Sequence, residues 1–328
     1  MKRRALVLAS LLAVGCFGND FDPPYLVKDA RILAIAVDPP EVAFGQDVLF
    51  EALVVDGDGT HLAGADGVEL RFYVCVSAAA VVRAAGLGLA APGLDDDCAE
   101  GGEDLVRLEQ GGDLPPGAAR LPGTAFFRLV EDLMGGAGGG GGGTGTNEPI
   151  DPELLETLAR VIAEVGVPLR VELQVWRDGE LAFTGFKRFA IAQREDVTTN
   201  PPAPRFAVGD VWLSARGGGD PRVCVPEEGE APVVEAGAEV TLAPDEDDEA
   251  WIETFPVVSL DGEVQVGRES AYYSWFSTGG EFSDSITQRP SRDVTWTAPE
   301  EPGTYPLWLV VRDGHLGTSF CRADVVVE

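Results

Sequence analysis

The stretch Val167–Ala192, VPLRVELQVWRDGELAFTGFKRFAIA, decides the fold class. Val167, Leu169, Val171, Leu173 and Val175 alternate with Arg170, Glu172 and Gln174, the period-two pattern of a strand with one buried face. Asp178-Gly179 then supplies a tight turn into a second extended run, Leu181–Ala192. Strands of this length at hairpin spacing predict an antiparallel sandwich.

Upstream, Arg31–Asp38 (RILAIAVD) sets Leu33, Ile35 and Val37 on one face before Pro39-Pro40 interrupts the run. Asp47–Asp56 resumes as an extended segment, Asp56-Gly57-Asp58-Gly59 turns, and Val68–Val76 (VELRFYVCV) extends again. These runs and the hairpin give a first domain over 31–197. A long insertion, 77–166, separates them. It holds Cys98, a glycine run at Gly135–Gly143 broken by Ala137, and one helix. Asp151 caps that helix and Pro152 takes its first position. Leu154, Leu155, Leu158, Val161, Ile162 and Val165 form its apolar stripe, which is expected to pack on the first sandwich, and Gly166 ends it. No Gly-Lys-Ser/Thr follows the glycine run, so it reads as a surface loop and not a phosphate cradle.

Residues 198–204 (TTNPPAP) form a proline-rich linker, expected to hold two domains apart in extended conformation. The second domain, 205–328, carries Ser270–Ser277 (SAYYSWFS), Thr295-Trp296-Thr297-Ala298-Pro299, Gly303-Thr304-Tyr305 and Asp313-Gly314. This series resembles the Trp-bearing strand and the last three strands of bacterial Ig-like and PKD-like domains; Arg31–Val48 resembles their opening strands more loosely. The resemblance implies a mostly β chain of two tandem Ig-like antiparallel β-sandwiches, the first with the helix and glycine-rich loop in its insertion. It makes Tyr305 a tyrosine corner, bonded back to upstream backbone. Trp275 fills the gap between sheets, and Leu307, Leu309 and Val311 face inward. Alternation then sends Trp308 and Val310 outward, and on the neighbouring strand Tyr272 and Phe276. Tyr272, Phe276 and Trp308 are thus expected to form an aromatic partner-binding patch.

The amino terminus supplies an address. Met1–Arg4 is basic, Ala5–Val14 is an apolar run too short to span a bilayer, and Ala13-Val14-Gly15-Cys16 follows. This resembles the lipobox signal of bacterial lipoproteins, with Ala13 where leucine is commoner. It implies removal of residues 1–15, acylation of Cys16 and a lipidated tether over 16–30. The membrane, reached through that anchor, is then one partner, and the outer membrane of a Gram-negative bacterium is the expected location.

With 55 acidic against 24 basic residues among 328, the net charge of −31 opposes nucleic-acid binding. Five cysteines leave four once Cys16 is acylated; of three possible pairings, Cys75–Cys98 and Cys224–Cys321 respect the domain boundary. No metal-ligand spacing, G-x-S-x-G elbow or H-E-x-x-H occurs, so no catalytic residue, metal site or cofactor is expected. Asp56–Thr60 reads as a plain turn because Thr60 and His61 occupy calcium-loop positions that need an acid or amide and a glycine. Asp245–Glu249 reads as a solvated acidic loop, with a structural calcium ion left open. Three function classes follow: a lipid-anchored, non-enzymatic envelope interaction or scaffolding module, bound to an envelope protein or glycan; a carbohydrate- or calcium-dependent adhesion module; and a hydrolase with its site in the insertion.

Overall fold

Residues 167–192 fold as two long strands joined at Asp178 and Gly179, whose φ values of 52° and 84° are those of a type I′ hairpin turn. The computed structural model describes residues 23–43, 45–75, 105–125, 163–194, 196–215, 222–245, 247–259 and 263–328.

The first unit contains β1 (Arg31–Asp38), β2 (Glu41–Ala43), β3 (Val48–Val55), β4 (Val68–Cys75), β5 (Leu105–Arg107), β6 (Ala118–Leu121), β7 (Val167–Arg177) and β8 (Glu180–Ala192). They form two sheets, ordered β1-β3-β6 and β2-β8-β7-β4-β5. At Pro39-Pro40 the chain changes sheet, so that β2 runs parallel to the end of β8. Prolines suit this crossing because neither can donate to a ladder. Phe50 and Phe189 meet edge to face at 5.3 Å inside, beside buried Phe72 and Leu173.

Part of the expected insertion is sandwich. β5 extends β4 and β6 pairs with β3, so residues 105–125 complete both sheets of the first unit. Three- and four-residue strands are too short to show a period. The glycine run, Cys98 and residues 151–162 of the expected helix lie outside the described residues. Its last turn is present at 163–165 and ends at Gly166, whose φ is 97°. A second correction falls on Leu33. The register slips between Ile32 and Ala34, making Leu33 the extra residue of a β-bulge. Ile35 and Val37 face the first core as expected, whereas Leu33 is turned out of it.

The second unit contains β9 (Arg205–Val208), β10 (Val211–Ala215), β11 (Cys224–Pro226), β12 (Val233–Val234), β13 (Glu239–Pro244), β14 (Thr254–Val258), β15 (Val264–Arg268), β16 (Tyr272–Ser277), β17 (Glu281–Phe282), β18 (Ile286–Gln288), β19 (Val294–Thr297), β20 (Gly303–Arg312) and β21 (Thr318–Val327). Its sheets are β11-β10-β9-β13-β19-β17 and β12-β21-β20-β16-β18, with β14-β15 a separate hairpin. Both units are Ig-like sandwiches. Trp275 and Trp296 are fully buried between the sheets, and the Tyr305 hydroxyl donates to Glu301 O at 2.9 Å, a tyrosine corner. The Cys224–Cys321 disulfide (S–S 2.08 Å) ties β11 to β21 across the two sheets.

The linker does not hold the units apart. Leu33, Ala34, Leu53 and Val55 from the outer face of β1 and β3 bury against Trp308, Val310 and Phe320 from the outer face of β20 and β21. The reason is visible in β3, VLFEALVV, which is apolar on both faces through its second half and so cannot leave either one in water. The expected tether is also shorter than 16–30. Val27 N–H bonds Ser277 O at 2.8 Å and Ser277 N–H bonds Tyr25 O at 3.1 Å, pinning this segment to the end of β16. Tyr25 packs edge to face on Phe282 at 5.1 Å.

Candidate functional site

The seam between the sandwiches has an apolar centre and polar ends. At one end Glu41, only 2% exposed, accepts bonds from Arg194, from Thr198 N–H at 2.8 Å and from His315 Nε2 at 3.3 Å. Burial pushes its carboxyl up, but these three donors outweigh that and hold it at about 2. The linker thus closes on the first unit through Thr198. Asn200 then joins the two units: its Nδ2 donates to Val37 O of the first (2.8 Å) while its Oδ1 accepts from Thr318 N–H of the second (2.9 Å). Asp313 is buried at the expected Asp-Gly turn, accepting from His315 N–H and Gly317 N–H at 2.7 Å each. The His315 ring stacks on Phe255 of β14 at 3.7 Å.

Glu269 stands near this group. Its Oε2 accepts from Glu253 N–H at 2.9 Å, and its buried Oε1 has no partner among the described residues. Burial is the main cause that raises its carboxyl to about 7. The Glu253 N–H opposes the rise, and the charges of Asp313, Glu253 and Glu41 add to it.

The expected aromatic patch is divided. Trp308 faces outward from β20 as alternation requires, but it is 1% exposed beneath β1 and β3, and among the described residues no partner meets its Nε1. It is therefore a seam residue and not part of an open patch. Its neighbour Phe276 pairs opposite it in register, and Phe276 and Tyr272 are half-buried. Both line an open cleft of about 450 Å³ with Pro24, Tyr25, Ile286 and Arg312. Ile286 is 58% exposed there. The cleft wall is almost wholly apolar except at Arg312, which donates to Ser274 Oγ at 2.9 Å and to Leu33 O at 3.2 Å. That carbonyl belongs to the bulge residue, which the β1–β3 register leaves without a paired residue.

Of the expected half-cystines, Cys224 and Cys321 are joined, Cys75 ends β4, and Cys98 and the acylation candidate Cys16 lie outside the described residues. The Asp56–Thr60 turn is closed by its own carboxylates: Asp56 accepts from Gly57 N–H at 2.8 Å and Asp58 from Thr60 N–H at 2.9 Å. Asp56 also pairs with Arg177 at 2.7 Å. In the acidic run Asp245 pairs with Arg205, and Glu249 with Arg268 and Arg289. Among the described residues no group of three or more His, Cys, Asp or Glu side chains is placed to hold a metal ion.

The seam residues Glu41, Lys187, His315 and Arg312 escaped sequence reasoning because each looks like an ordinary surface charge. The available signal was β3, whose two-sided apolarity announces a covered outer face.

No family model and no curated protein matches this chain. Among solved structures, it overlaps a nucleoside hydrolase-related protein of Saccharophagus degradans at 16% identity and TM-score 0.21, covering 40% of this chain and 26% of that one. It overlaps the Bacteroides ovatus mixed-linkage glucan utilization locus protein SGBP-B, solved with a mixed-linkage heptasaccharide, at 9% identity and TM-score 0.22, covering 92% and 47%. The Ig1-2 module of the Drosophila receptor protein tyrosine phosphatase DLAR overlaps at 9% identity and TM-score 0.20, covering 92% and 99%. The chain thus spans about a quarter and about half of the first two. At these TM-scores the likenesses carry no argument about function.

Proposed function

We propose that this chain is a lipid-anchored, non-enzymatic interaction module of the cell envelope, held at the Gram-negative outer membrane by an acylated Cys16. Its partner is an envelope protein or glycan. The observation that supports the interaction reading is the open cleft of Tyr25, Tyr272, Phe276 and Ile286, an apolar, aromatic concavity beside a rigid seam. Concave sites with apolar walls and a few fixed polar groups are where ligands and partners bind.

Two measurements test the two halves separately. A clickable fatty acid should label the wild type and not Cys16→Ser; equal label in both sinks the anchor. A photo-crosslinking residue at Phe276 or Ile286 should give a discrete adduct in intact cells, and the same residue at exposed Thr304 should give none. Absence of adducts at both cleft positions sinks the cleft.

A further inference from the structure

A second groove, of about 520 Å³, opens on the other side of Arg312. Its walls are Ala30–Ile35 of the chain entering and forming β1, and residues 183–187 of β8; Arg312 and Thr318 reach it from the second unit. β8 pairs with β2 only at Ala190–Ala192, so among the described residues its reach along the groove has no strand on that side.

The lining inverts the composition of the protein. Acids outnumber bases 55 to 24 in the chain, yet Arg31, Lys187 and Arg312 line this groove and, among the described residues, no carboxylate does. Lys187 Nζ donates to Thr318 Oγ1 at 2.7 Å, Arg312 to Ser274 Oγ and Leu33 O, and Arg31 to Pro24 O at 2.8 Å. All of these acceptors are neutral. At the lip Phe186 is 64% exposed, with the Arg170 guanidinium 5.4 Å from its ring centre. Arg170 lies directly opposite Arg188 in the β7–β8 register, on the face of the sheet that carries Phe186 and opposite the one that carries Lys187. Glu172, opposite Phe186, is the nearest acid on that face by register.

Neighbouring charges bear on Lys187 from both sides. Burial is the main cause that lowers its ammonium to about 8; Asp313 opposes the fall and Arg312 adds to it. Desolvated cations without a carboxylate partner are costly, and an anion entering the groove relieves that cost.

We infer that the groove binds an acidic saccharide, with a uronate-type carboxylate held by Lys187 and Arg312 and a sugar ring laid over the edge of β8 onto Phe186. Charge complementarity fixes the sign of the ligand. Arg312 lines both this groove and the aromatic cleft. Aromatic faces, negative at their centres, suit the C–H faces of sugar rings. This deepens the interaction-module reading by naming a class of partner and rests on that reading, which the cleft crosslinks test apart from the groove.

Calorimetric titration of the detergent-solubilised full chain tests it, run on wild type and Cys16→Ser alike so that anchoring and binding are read apart. Tri-galacturonate should bind, with affinity falling as salt is raised. Its methyl-esterified counterpart, equal in shape but neutral, should bind at least tenfold more weakly. Lys187→Met should lose at least tenfold. Because Arg312 also holds the seam, Arg31→Gln and Phe186→Ala at the rim provide a second reading, each expected to weaken binding several-fold with the melting temperature unchanged. Equal binding of the esterified sugar, or of hexaglutamate, overturns the acidic-saccharide assignment. So does binding of inorganic sulfate or anionic phospholipid vesicles at matching affinity, or no heat with tri-galacturonate.

Discussion

Trp308 buries its indole between sheets that belong to different sandwiches, and its orientation follows from Tyr305 three residues earlier. That much was legible, because alternation along β20 needs only one fixed residue to set every other. Its cover was not, since alternation gives the face of a strand and says nothing about what lies on it. Leu33 shows the complementary limit: counting by twos cannot see a bulge, which inserts one residue and reverses the face. Charged seam residues make a pH prediction. Glu269 is raised in the fold from 4.5 to about 7, so the fold prefers its protonated form. That contribution is complete below pH 4.5 and is lost as pH rises through 7. Glu41 runs oppositely; lowered to about 2, it stabilises above 4.5 and is lost only as pH falls toward 2. Between about pH 5 and pH 8 the wild type should therefore lose melting temperature relative to Glu269→Gln, with Glu41 silent. Parallel pH profiles for the two proteins would show that the Glu269 carboxyl is not held raised.

At the scale of elements, β1, β3, β4, β7 and β8 begin and end within about two residues of the sequence expectation, because each is long, two-faced and bounded by turn residues. β5, β6 and the β14–β15 hairpin escaped it. The first two are three and four residues long, and Pro256 interrupts the β14 pattern. The Cys224–Cys321 bridge closes a separation of 97 residues and ties β11, at the edge of one sheet, to β21 of the other, beside the isolated parallel bridge between Val223 and Arg322. Removing it as the double alanine variant should lower stability by about 2–5 kcal/mol, with chain entropy alone giving roughly 4.7. Denaturant unfolding of the isolated variant reads the loss, and an unchanged midpoint would mean that β21 is held by its ladders to β20 and β12.

Across the whole molecule the seam makes one body from two sandwiches. Heat should therefore unfold the wild type in a single calorimetric transition. Leu53→Asp, which drives a carboxylate into the apolar seam, should split it into two. Two separated transitions in the wild type would show that each sandwich melts independently of the seam. The parallel bridge between Leu26 and Ser277 has a further consequence, mechanical in kind. Under the proposed anchoring at Cys16, tension arrives at Pro24–Val27, whose backbone is bonded to the end of β16 and whose Pro24 carbonyl accepts from Arg31 of β1. The load passes into the β16-β20-β21 sheet of the sandwich that is last in sequence. The first sandwich takes its share through the Arg31 side chain alone until that bridge peels, so a pull on this segment strains the wall of the aromatic cleft, where Pro24 and Tyr25 stand.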